Sequence, residues 1–558
     1  MMPLQNSQKS RLRPHWLQIK ALRFDIWSLG AVLVGVIVLV PMLAVVWIAF
    51  HPTENIWPHL LSTVLPRYFT ATLRMMLGVG LLSAAMGAGA AWLVVMYRFP
   101  GSRSLDYALL FPMAIPAYVG AYALVDFLDY AGPLQTALRV SFGLRDARDY
   151  WFPEINSEPA AILVLSAALY PYVYLMTRAA LREQSGASYE VARSLGLGNW
   201  GMFWRLGLPL VRPAIAAGVA LTMMETVADF GTVSTFGVQT LTTGVFSTWL
   251  NGGNAGGAAQ IAGVILSLVL VLLSIEYVSR RNARFHRPSR ASRPVTPIQL
   301  RGAWAWVATG LCAVPFLLGF ALPTAVMLGH ALAKPQMWLA PGLLQAALNT
   351  VIVGGIAAML TVSAALFLVY GVRMAGRSLA RAVLPLTTLG YAMPGAVLAV
   401  GLLVPLAALD HRVADLVLAL TGHDPGLMLT GTAAAIVLAY LVRFFGIAQG
   451  AVDSAFGRIS PSLPMAARSL GRGIGGTLRD VYLPLMRGSV LTALLLVFVE
   501  CVKELPATLL LRPFNFNTLA TRVYELASLE RIGEAAPAAL IVTVMGLAAV
   551  ALLVRATR

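Results

Sequence analysis

The chain has 558 residues, of which 58% are hydrophobic and 12% are charged. Soluble domains carry about 25% charged residues, so this composition excludes an ordinary globular enzyme and indicates a membrane protein. The net charge of +17 could suggest a nucleic-acid partner, but the arginines lie between apolar segments, a pattern that membrane topology explains better. Cys312 and Cys501 both lie in apolar stretches and predict neither a disulfide framework nor a metal site.

Twelve apolar segments are long enough to cross a membrane, since about 20 apolar residues span the roughly 30 Å hydrocarbon core. In the first half of the chain they are 27–49, 70–97, 107–128, 159–180, 213–232 and 258–279. In the second half they are 303–329, 344–371, 382–408, 429–448, 489–509 and 536–555. The sequence therefore predicts an all-α polytopic membrane protein with about 12 transmembrane helices.

The basic residues predict the orientation of these segments. If the N-terminus is inside, most of the 41 Lys and Arg residues lie in or beside cytoplasmic segments, as the positive-inside rule requires. With an even number of spans, the C-terminus is then cytoplasmic as well. The densest arginine run lies in 280–302, which we interpret as a basic cytoplasmic linker between a first half, 1–279, and a second half, 303–558.

One stretch occurs twice, once in each half of the chain. The first copy runs over 189–196 and, after nine residues, continues at 206–209. The second copy runs over 464–471 and, after the same spacing, continues at 481–484. Each copy lies in a basic segment directly before a predicted span, so the two halves present equivalent loops on the same side of the membrane.

The repeat extends beyond these loops. The matching stretches are 225–230 with 500–505, 240–246 with 518–524, and 115–117 with 393–395, at a nearly constant offset. Because each half has an even number of spans, both halves enter the membrane in the same direction. The repeat is therefore parallel, and its pseudo-two-fold axis runs along the membrane normal.

The duplicated loops resemble the cytoplasmic Glu-Ala-Ala loops of ABC-importer permeases. The first copy retains Glu190, Ala192, Gly196 and Pro209 of that motif, together with Arg193 beside them.

The second copy retains Ala466, Ala467, Gly471 and Pro484, with Arg468 beside them, but Met465 stands where the family usually has Glu. The resemblance covers nearly the whole chain and implies the type I ABC-importer permease fold. Its coupling loops would be 181–212 and 449–488.

The resemblance also implies partners. Each coupling loop would bind one of two copies of a cytoplasmic ATP-binding subunit, and an extracytoplasmic solute-binding protein would deliver the cargo. The protein would lie in the bacterial inner membrane as a multi-pass permease. ATP and Mg would bind the partner subunits, because none of the four lysines follows a glycine as a phosphate-binding loop requires. We therefore expect no cofactor on this chain and no enzymatic activity of its own.

The residue chemistry of the loops agrees with this interpretation. Gly196 and Gly471 suit a helix end that needs a left-handed residue. Pro209 and Pro484 suit the first turn of the following transmembrane helix, where the fixed φ of proline is tolerated. The pattern predicts a rigid helix–turn–helix at each loop, which we call the bracket: a short helix, a tight turn at the glycine and the start of the next transmembrane helix.

Five ionisable residues near the ends of spans five and eleven are candidates for the transport pathway, because charges at membrane depth are costly and usually face an aqueous route. They are Glu225, Asp229, Glu500, Lys503 and Glu504. Four acids near the axis would favour a cation, although helical spacing also allows Lys503 to pair with Glu500 or Glu504.

Two stretches, one from Ala228 and one from Lys503, resemble outer-loop regions of ferric-iron permeases. Relatives that import thiamine, polyamines, phosphonates or sulfate share the same architecture and remain alternatives. An autonomous secondary transporter or channel is the alternative of another class, but it would not need two docking loops.

Overall fold

Prolines and capping side chains divide this chain into long apolar helices and short buried ones. The computed structural model describes residues 26–52, 54–282, 295–374, 384 and 386–556. The first half contains α1 (Ile26–Phe50), α2 (Trp57–Ser62), α3 (Leu65–Met96), β1 (Tyr97–Arg98), α4 (Ser102–Ala108), a 3-10 turn (Phe111–Ala114), α5 (Ala117–Leu128), α6 (Pro133–Phe142), α7 (Glu158–Arg182), α8 (Gly186–Ser194), α9 (Asn199–Gly201), a π turn (Met202–Gly207), α10 (Leu208–Ala228), α11 (Gly231–Thr235), α12 (Leu241–Phe246), a π turn (Ser247–Asn251) and α13 (Ala255–Asn282).

The described part of the second half follows a similar order, except that one continuous helix takes the place of α5 and α6. It contains β2 (Ile298–Gln299), α14 (Ala303–Phe316), a π turn (Leu317–Ala321), α15 (Leu322–Ala333), a 3-10 turn (Pro335–Leu339), α16 (Leu343–Met374), α17 (Leu389–Ala392), α18 (Gly395–Thr421), α19 (Ala433–Gly457), α20 (Ser462–Ser469), α21 (Ile474–Thr477), a π turn (Leu478–Tyr482), α22 (Leu483–Lys503), α23 (Pro506–Leu511), α24 (Leu519–Ser528) and α25 (Ile532–Ala556).

Eleven helices in the described ranges are long and apolar enough to cross a membrane, and they overlap eleven of the predicted segments. The remaining segment, 107–128, is not a straight helix: Ser102–Ala114 and Ala117–Phe142 meet at a bend of 96°. Ile115 is extended at this bend, with φ −101° and ψ 129°. The residue before a proline disfavours the helical conformation, and Pro116 follows Ile115.

Three predicted boundaries also need correction. The segment predicted at 382–408 begins as a spanning helix only at Gly395, after Pro394, and runs to Thr421. The segments predicted at 213–232 and 489–509 end earlier, at Ala228 and Lys503. Residues 375–383 and 385 lie outside the described ranges, as do residues 283–294 of the predicted linker. The end of that linker forms β2, which pairs in parallel with β1.

Two short helices at paired positions display the internal repeat. α12 and α24 each begin with a reciprocal threonine cap, made by Thr240 in one and Thr518 in the other. The first backbone N–H of α12 donates to Thr72 Oγ1 at 3.0 Å, and that of α24 donates to Thr350 Oγ1 at 2.8 Å. The two halves therefore repeat in hydrogen bonding as well as in sequence.

The first span of each half packs against the opposite half. α1 lies against α16 and α18 of the second half, whereas the span formed by α14 and α15 lies against α3 and α5 of the first half. Glycines allow both contacts to be close. A methyl group added at Gly401 would collide with the Pro41 carbonyl oxygen of α1, and one added at Gly319 would collide with the Ala167 carbonyl oxygen of α7.

We predict that Gly319→Ala destabilises the protein by about 1–3 kcal/mol, because overpacking a tight contact forces the backbones apart. Gly310→Ala is the matched control in the same span, since a methyl group there meets no atom within 4 Å. The control should leave stability unchanged or raise it slightly, because alanine favours helix. The measurement is the thermal unfolding midpoint in detergent, and equal midpoints for the two variants would contradict the packing described.

Candidate functional site

Each candidate coupling loop folds into a short helix, a tight turn and the start of a spanning helix. α8 belongs to the first loop and α20 to the second. After each helix a backbone N–H bonds back to the helix, from Leu197 to the Ala192 carbonyl and from Arg472 to the Ala467 carbonyl, at 3.0 Å in both loops. The two loops therefore share one turn geometry.

Glycine makes this turn possible. Gly196 and Gly471 both have a φ of +84°, a left-handed conformation that side chains with a Cβ disfavour. In each loop a π turn then leads into a spanning helix that carries proline in its first turn, Pro209 in α10 and Pro484 in α22. The predicted bracket is present in both loops.

The outer faces of the two brackets differ in chemistry. Of the predicted coupling residues on the two short helices, the exposed ones are Glu190 and Arg193 in the first, and Met465, Ala466 and Arg468 in the second.

Both brackets also expose an apolar residue just before the glycine, Leu195 and Leu470, at 78% and 84% exposure. Ala192 and Ala467 are buried beneath the helices. Each bracket therefore exposes a leucine beside its glycine, but only the first has an exposed carboxylate, Glu190, where the second has Met465.

Tyr189 holds the first bracket against the membrane helices. Its ring lies beside that of Trp92, with centroids 6.2 Å apart, and its hydroxyl donates to Gln184. Burial raises the pKa of Tyr189 to about 12, so the phenol stays neutral and serves as a hydrogen-bond donor.

A cavity of about 130 Å³ lies where the ends of spans from the two halves meet. Six charged side chains line it: Glu225, Asp229, Arg443, Glu500, Lys503 and Glu504. All five residues predicted as pathway candidates are thus brought together in one place. Arg443 joins them from α19 and was not among the predicted residues.

The two acids of the second half are each bound to a cation of the same half. Arg443 donates to Glu504 Oε1 at 2.9 Å, and the Glu504 side chain is 1% exposed. Glu504 also accepts the Thr508 backbone N–H at 3.1 Å, which caps α23. Lys503 Nζ lies 2.9 Å from Glu500 Oε1. Of the two partners that helical spacing allowed for Lys503, the structure therefore shows Glu500.

The two acids of the first half receive only neutral donors among the described contacts. Asp229 accepts the Val233 backbone N–H and the Thr232 hydroxyl, both at 3.0 Å, and thereby caps α11. Glu225 accepts a single hydrogen bond, from the Tyr391 hydroxyl at 3.2 Å. Among the described residues, Glu225 therefore has one long hydrogen bond, although the charges of Arg443 and Lys503 also act on it.

Two hydrogen bonds cross the cavity from one half to the other. Tyr391 of the second half donates to Glu225 of the first, and Lys503 donates to the Met113 carbonyl oxygen of the first half at 3.3 Å. Met113 and Tyr391 occupy paired positions of the repeat. The halves are thus joined at the cavity by one contact on each side of the pseudo-two-fold axis.

Sequence reasoning missed most of the residues that line this cavity, among them Arg443 and Tyr118. Arg443 lies inside an apolar span, and an arginine at such depth is itself a signal of a polar partner. Tyr118 lines the cavity and is only 4% exposed, yet its hydroxyl has no hydrogen-bond partner among the described residues. Nothing in the sequence distinguishes Tyr118 from an aromatic core residue.

Comparison with known proteins agrees with the architecture. The family described as binding-protein-dependent transport system inner membrane component matches residues 76–284. The Fe(3+)-transport system permease protein FbpB 2 of Haemophilus influenzae is 26% identical over 84% of this chain and 86% of its own length.

Single-half relatives match as well. The molybdenum transport system permease protein ModB of Escherichia coli K12 is 29% identical over 38% of this chain and 90% of its own length. A probable sulfate transport system permease protein of Chlorokybus atmophyticus is 30% identical over 41% of this chain and 79% of its own length. The chain is therefore a multi-pass membrane protein that belongs to the family of binding-protein-dependent ABC-importer permeases.

Proposed function

We propose that this permease moves ferric iron, delivered by an extracytoplasmic binding protein, into the cytoplasm by alternating access. The observation that carries the proposal is the charge of the central cavity. Four carboxylates and two cationic side chains line it, so it is net negative when all are ionised. The similarity to a ferric permease over most of both chains supports the same cargo.

The negative charge of the cavity distinguishes cationic from anionic cargo candidates. Two unit charges 4 Å apart interact by about 4 kcal/mol at an effective dielectric constant of about 20. A surplus of carboxylates therefore attracts a metal cation and repels sulfate, molybdate or a phosphonate. This argument favours iron over the oxyanions that related permeases carry by name.

The size of the cavity is compatible with an ion. Its volume of about 130 Å³ leaves room for an ion with a few waters. Among the described residues, no three His, Cys, Asp or Glu side chains converge on a metal position, which suits a cargo that must leave again.

We further propose that energy enters through the two brackets. Each would bind one of two ATP-binding subunits, which hold ATP and Mg, and both chain termini would be cytoplasmic. Closure of the nucleotide-bound pair would shift the permease between its inward-open and outward-open states through the differential affinity of nucleotide. α10 and α22 follow the brackets directly and end at the cavity, so they would transmit the motion to the contacts made by Tyr391 and Lys503.

We predict ATP-dependent uptake of Fe(III) by vesicles that contain the permease, its ATP-binding subunits and the binding protein. Removal of ATP should abolish uptake even when a proton gradient is maintained, because the work enters through the brackets. Radiolabelled iron, sulfate and thiamine are measured in parallel. Uptake of sulfate or thiamine in place of iron would contradict the proposed cargo.

We predict that Gly196→Val lowers iron uptake per ATP hydrolysed, because a β-branched residue at a φ of +84° costs about 1–2 kcal/mol and tilts the bracket. Gly196→Asn is the matched control, since asparagine tolerates this conformation. Uptake and phosphate release are measured on the same vesicles.

Substitutions at paired positions of the two brackets can be compared for their effect on uptake. Glu190→Ala should reduce uptake more than Met465→Ala, because only Glu190 offers a carboxylate to a partner. Unchanged uptake by Glu190→Ala would refute this asymmetry.

A further inference from the structure

Each bracket is joined at its other end to the spanning helix that precedes it. In the first half, α7 ends at Arg182 and the bracket helix α8 begins at Gly186. In the second half, α19 ends at Gly457 and the bracket helix α20 begins at Ser462. Movement of a bracket therefore acts on α7 or α19 at one end, as it acts on α10 or α22 at the other.

The same two positions connect α7 and α19 to another segment of their own half. The Tyr174 hydroxyl of α7 lies 3.0 Å from the Asp106 backbone carbonyl oxygen and 2.9 Å from the carboxylate Oδ1 of the same residue. The Gln449 amide of α19 donates to the Leu384 backbone carbonyl oxygen at 2.8 Å. Gln449 is paired with Tyr174 by the offset of the coupling loops. Leu384 is paired with Asp106 by the offset of the matching stretch at the Ile115 bend.

The segments held in this way lead to the contacts that cross the cavity. Asp106 lies seven residues before Met113. Leu384 lies seven residues before Tyr391. Met113 and Tyr391 make the two hydrogen bonds between the halves at the cavity. The helix before each bracket is therefore bonded to the segment that carries one of these contacts.

The first half strengthens its connection with charge. The buried Asp106 carboxylate accepts from Arg178 Nη2 at 2.8 Å and from Arg182 Nη2 at 2.7 Å, both on the last turns of α7. Hydrogen bonds between ionised partners are shorter and stronger than neutral ones. We call the contacts of Asp106 with α7 the first-half tie.

The second half makes its connection with neutral groups. Gln449 donates to the Leu384 carbonyl oxygen and accepts the Thr387 hydroxyl at 2.6 Å. The positions paired with the two arginines of α7 hold Asp453 and Gly457. We call the contacts of Gln449 with Leu384 and Thr387 the second-half tie.

We infer that Tyr174 and Gln449 are positioning residues that transmit bracket movement to the cavity, and that the charges on Asp106 make this transmission firmer in the first half. Coupling between distant sites is carried by packed side chains and hydrogen-bond networks. The first bracket then controls the Met113 contact firmly, whereas the second controls the Tyr391 contact through neutral hydrogen bonds. This inference rests on the proposed binding of ATP-binding subunits to the brackets, and it adds a route beside α10 and α22.

Four variants test the two ties. Gln449→Met removes the hydrogen bonds of the second-half tie, and Tyr174→Phe removes the paired hydroxyl of the first. Tyr174→Phe/Arg182→Gln weakens the first-half tie further, and Arg182 is chosen because its side chain is 47% exposed. Arg74→Gln is the matched control, since it removes an exposed arginine that pairs with Glu158 at the other end of α7.

Spin labels measure the movement that reaches each contact. The first label pair is Phe142→Cys with Phe514→Cys, and the second is Leu420→Cys with Leu250→Cys, all at exposed positions and each joining the two halves. The permease with its ATP-binding subunits is placed in lipid nanodiscs, and the distance within each pair is measured by pulsed EPR with and without ATP. The two native cysteines are buried, and the parent without introduced cysteines measures their background.

We expect ATP to change both distances in the parent and in the control variant. Gln449→Met should reduce the change at the second label pair at least about twofold. Tyr174→Phe should leave the first label pair close to the parent, because two arginines still hold Asp106. Tyr174→Phe/Arg182→Gln should reduce the change at the first label pair at least about twofold, and lysine in place of glutamine at Arg182 should restore most of it. ATP hydrolysis should stay within about twofold of the parent in every variant.

A parent-like change at the first label pair in Tyr174→Phe/Arg182→Gln would overturn the inference. Equal losses at both label pairs would indicate general destabilisation and also overturn it. Equal effects of Tyr174→Phe and Gln449→Met, each on its own label pair, would refute the difference between the halves.

Iron uptake by vesicles, measured separately, keeps this inference distinct from the proposed function. Distance changes that follow the prediction without iron uptake retain the ties and reject the cargo. Iron uptake together with distance changes that no variant alters retains the function and rejects the ties.

Discussion

Hydrocarbon offers no hydrogen bonds, so a helix that stops inside a membrane protein needs partners for its free backbone groups. Four such breaks lie at or beside the cavity. Their backbones are extended at Ile115, Asp229, Met393 and Glu504, with ψ of 129°, 135°, 124° and 123°. Two of these residues are acids whose carboxylates accept backbone N–H groups of the next short helix. Asp229 and Glu504, two of the four candidate pathway carboxylates, therefore also allow the helices to end at the cavity.

Most of the architecture could be predicted because it depends on local patterns. Apolar length predicts the spans, and the repeat in the sequence pairs Gly196 with Gly471, which have the same φ. The bend at Ile115 was missed because the spans were predicted from hydrophobicity, which does not indicate a bend. Pro116 is the signal in the sequence that could have predicted it. Arg443 was missed because its partner Glu504 lies 61 residues away, and no spacing rule connects two helices before they pack.

Fusion of the two halves has a physical consequence for the cavity. Two identical subunits must place the same residue on both sides of a two-fold axis. Within one chain, the position paired with Arg443 at the offset of the coupling loops holds Ala168, and the position paired with Lys503 holds Ala228. The net charge of the cavity can then be adjusted one residue at a time.

The exchange of first spans between the halves sets the order in which the protein can be assembled. α1 is synthesised first, yet its Pro41 packs against Gly401, which lies far along the second half of the chain. At roughly 5–20 residues per second, about 20–70 s separate the two on the ribosome. During that time α1 can pack against α13 of its own half but not against α16 and α18, so the first half cannot complete its packing alone. A chain truncated after the first half would therefore expose to lipid the face of α1 that contacts α16 and α18.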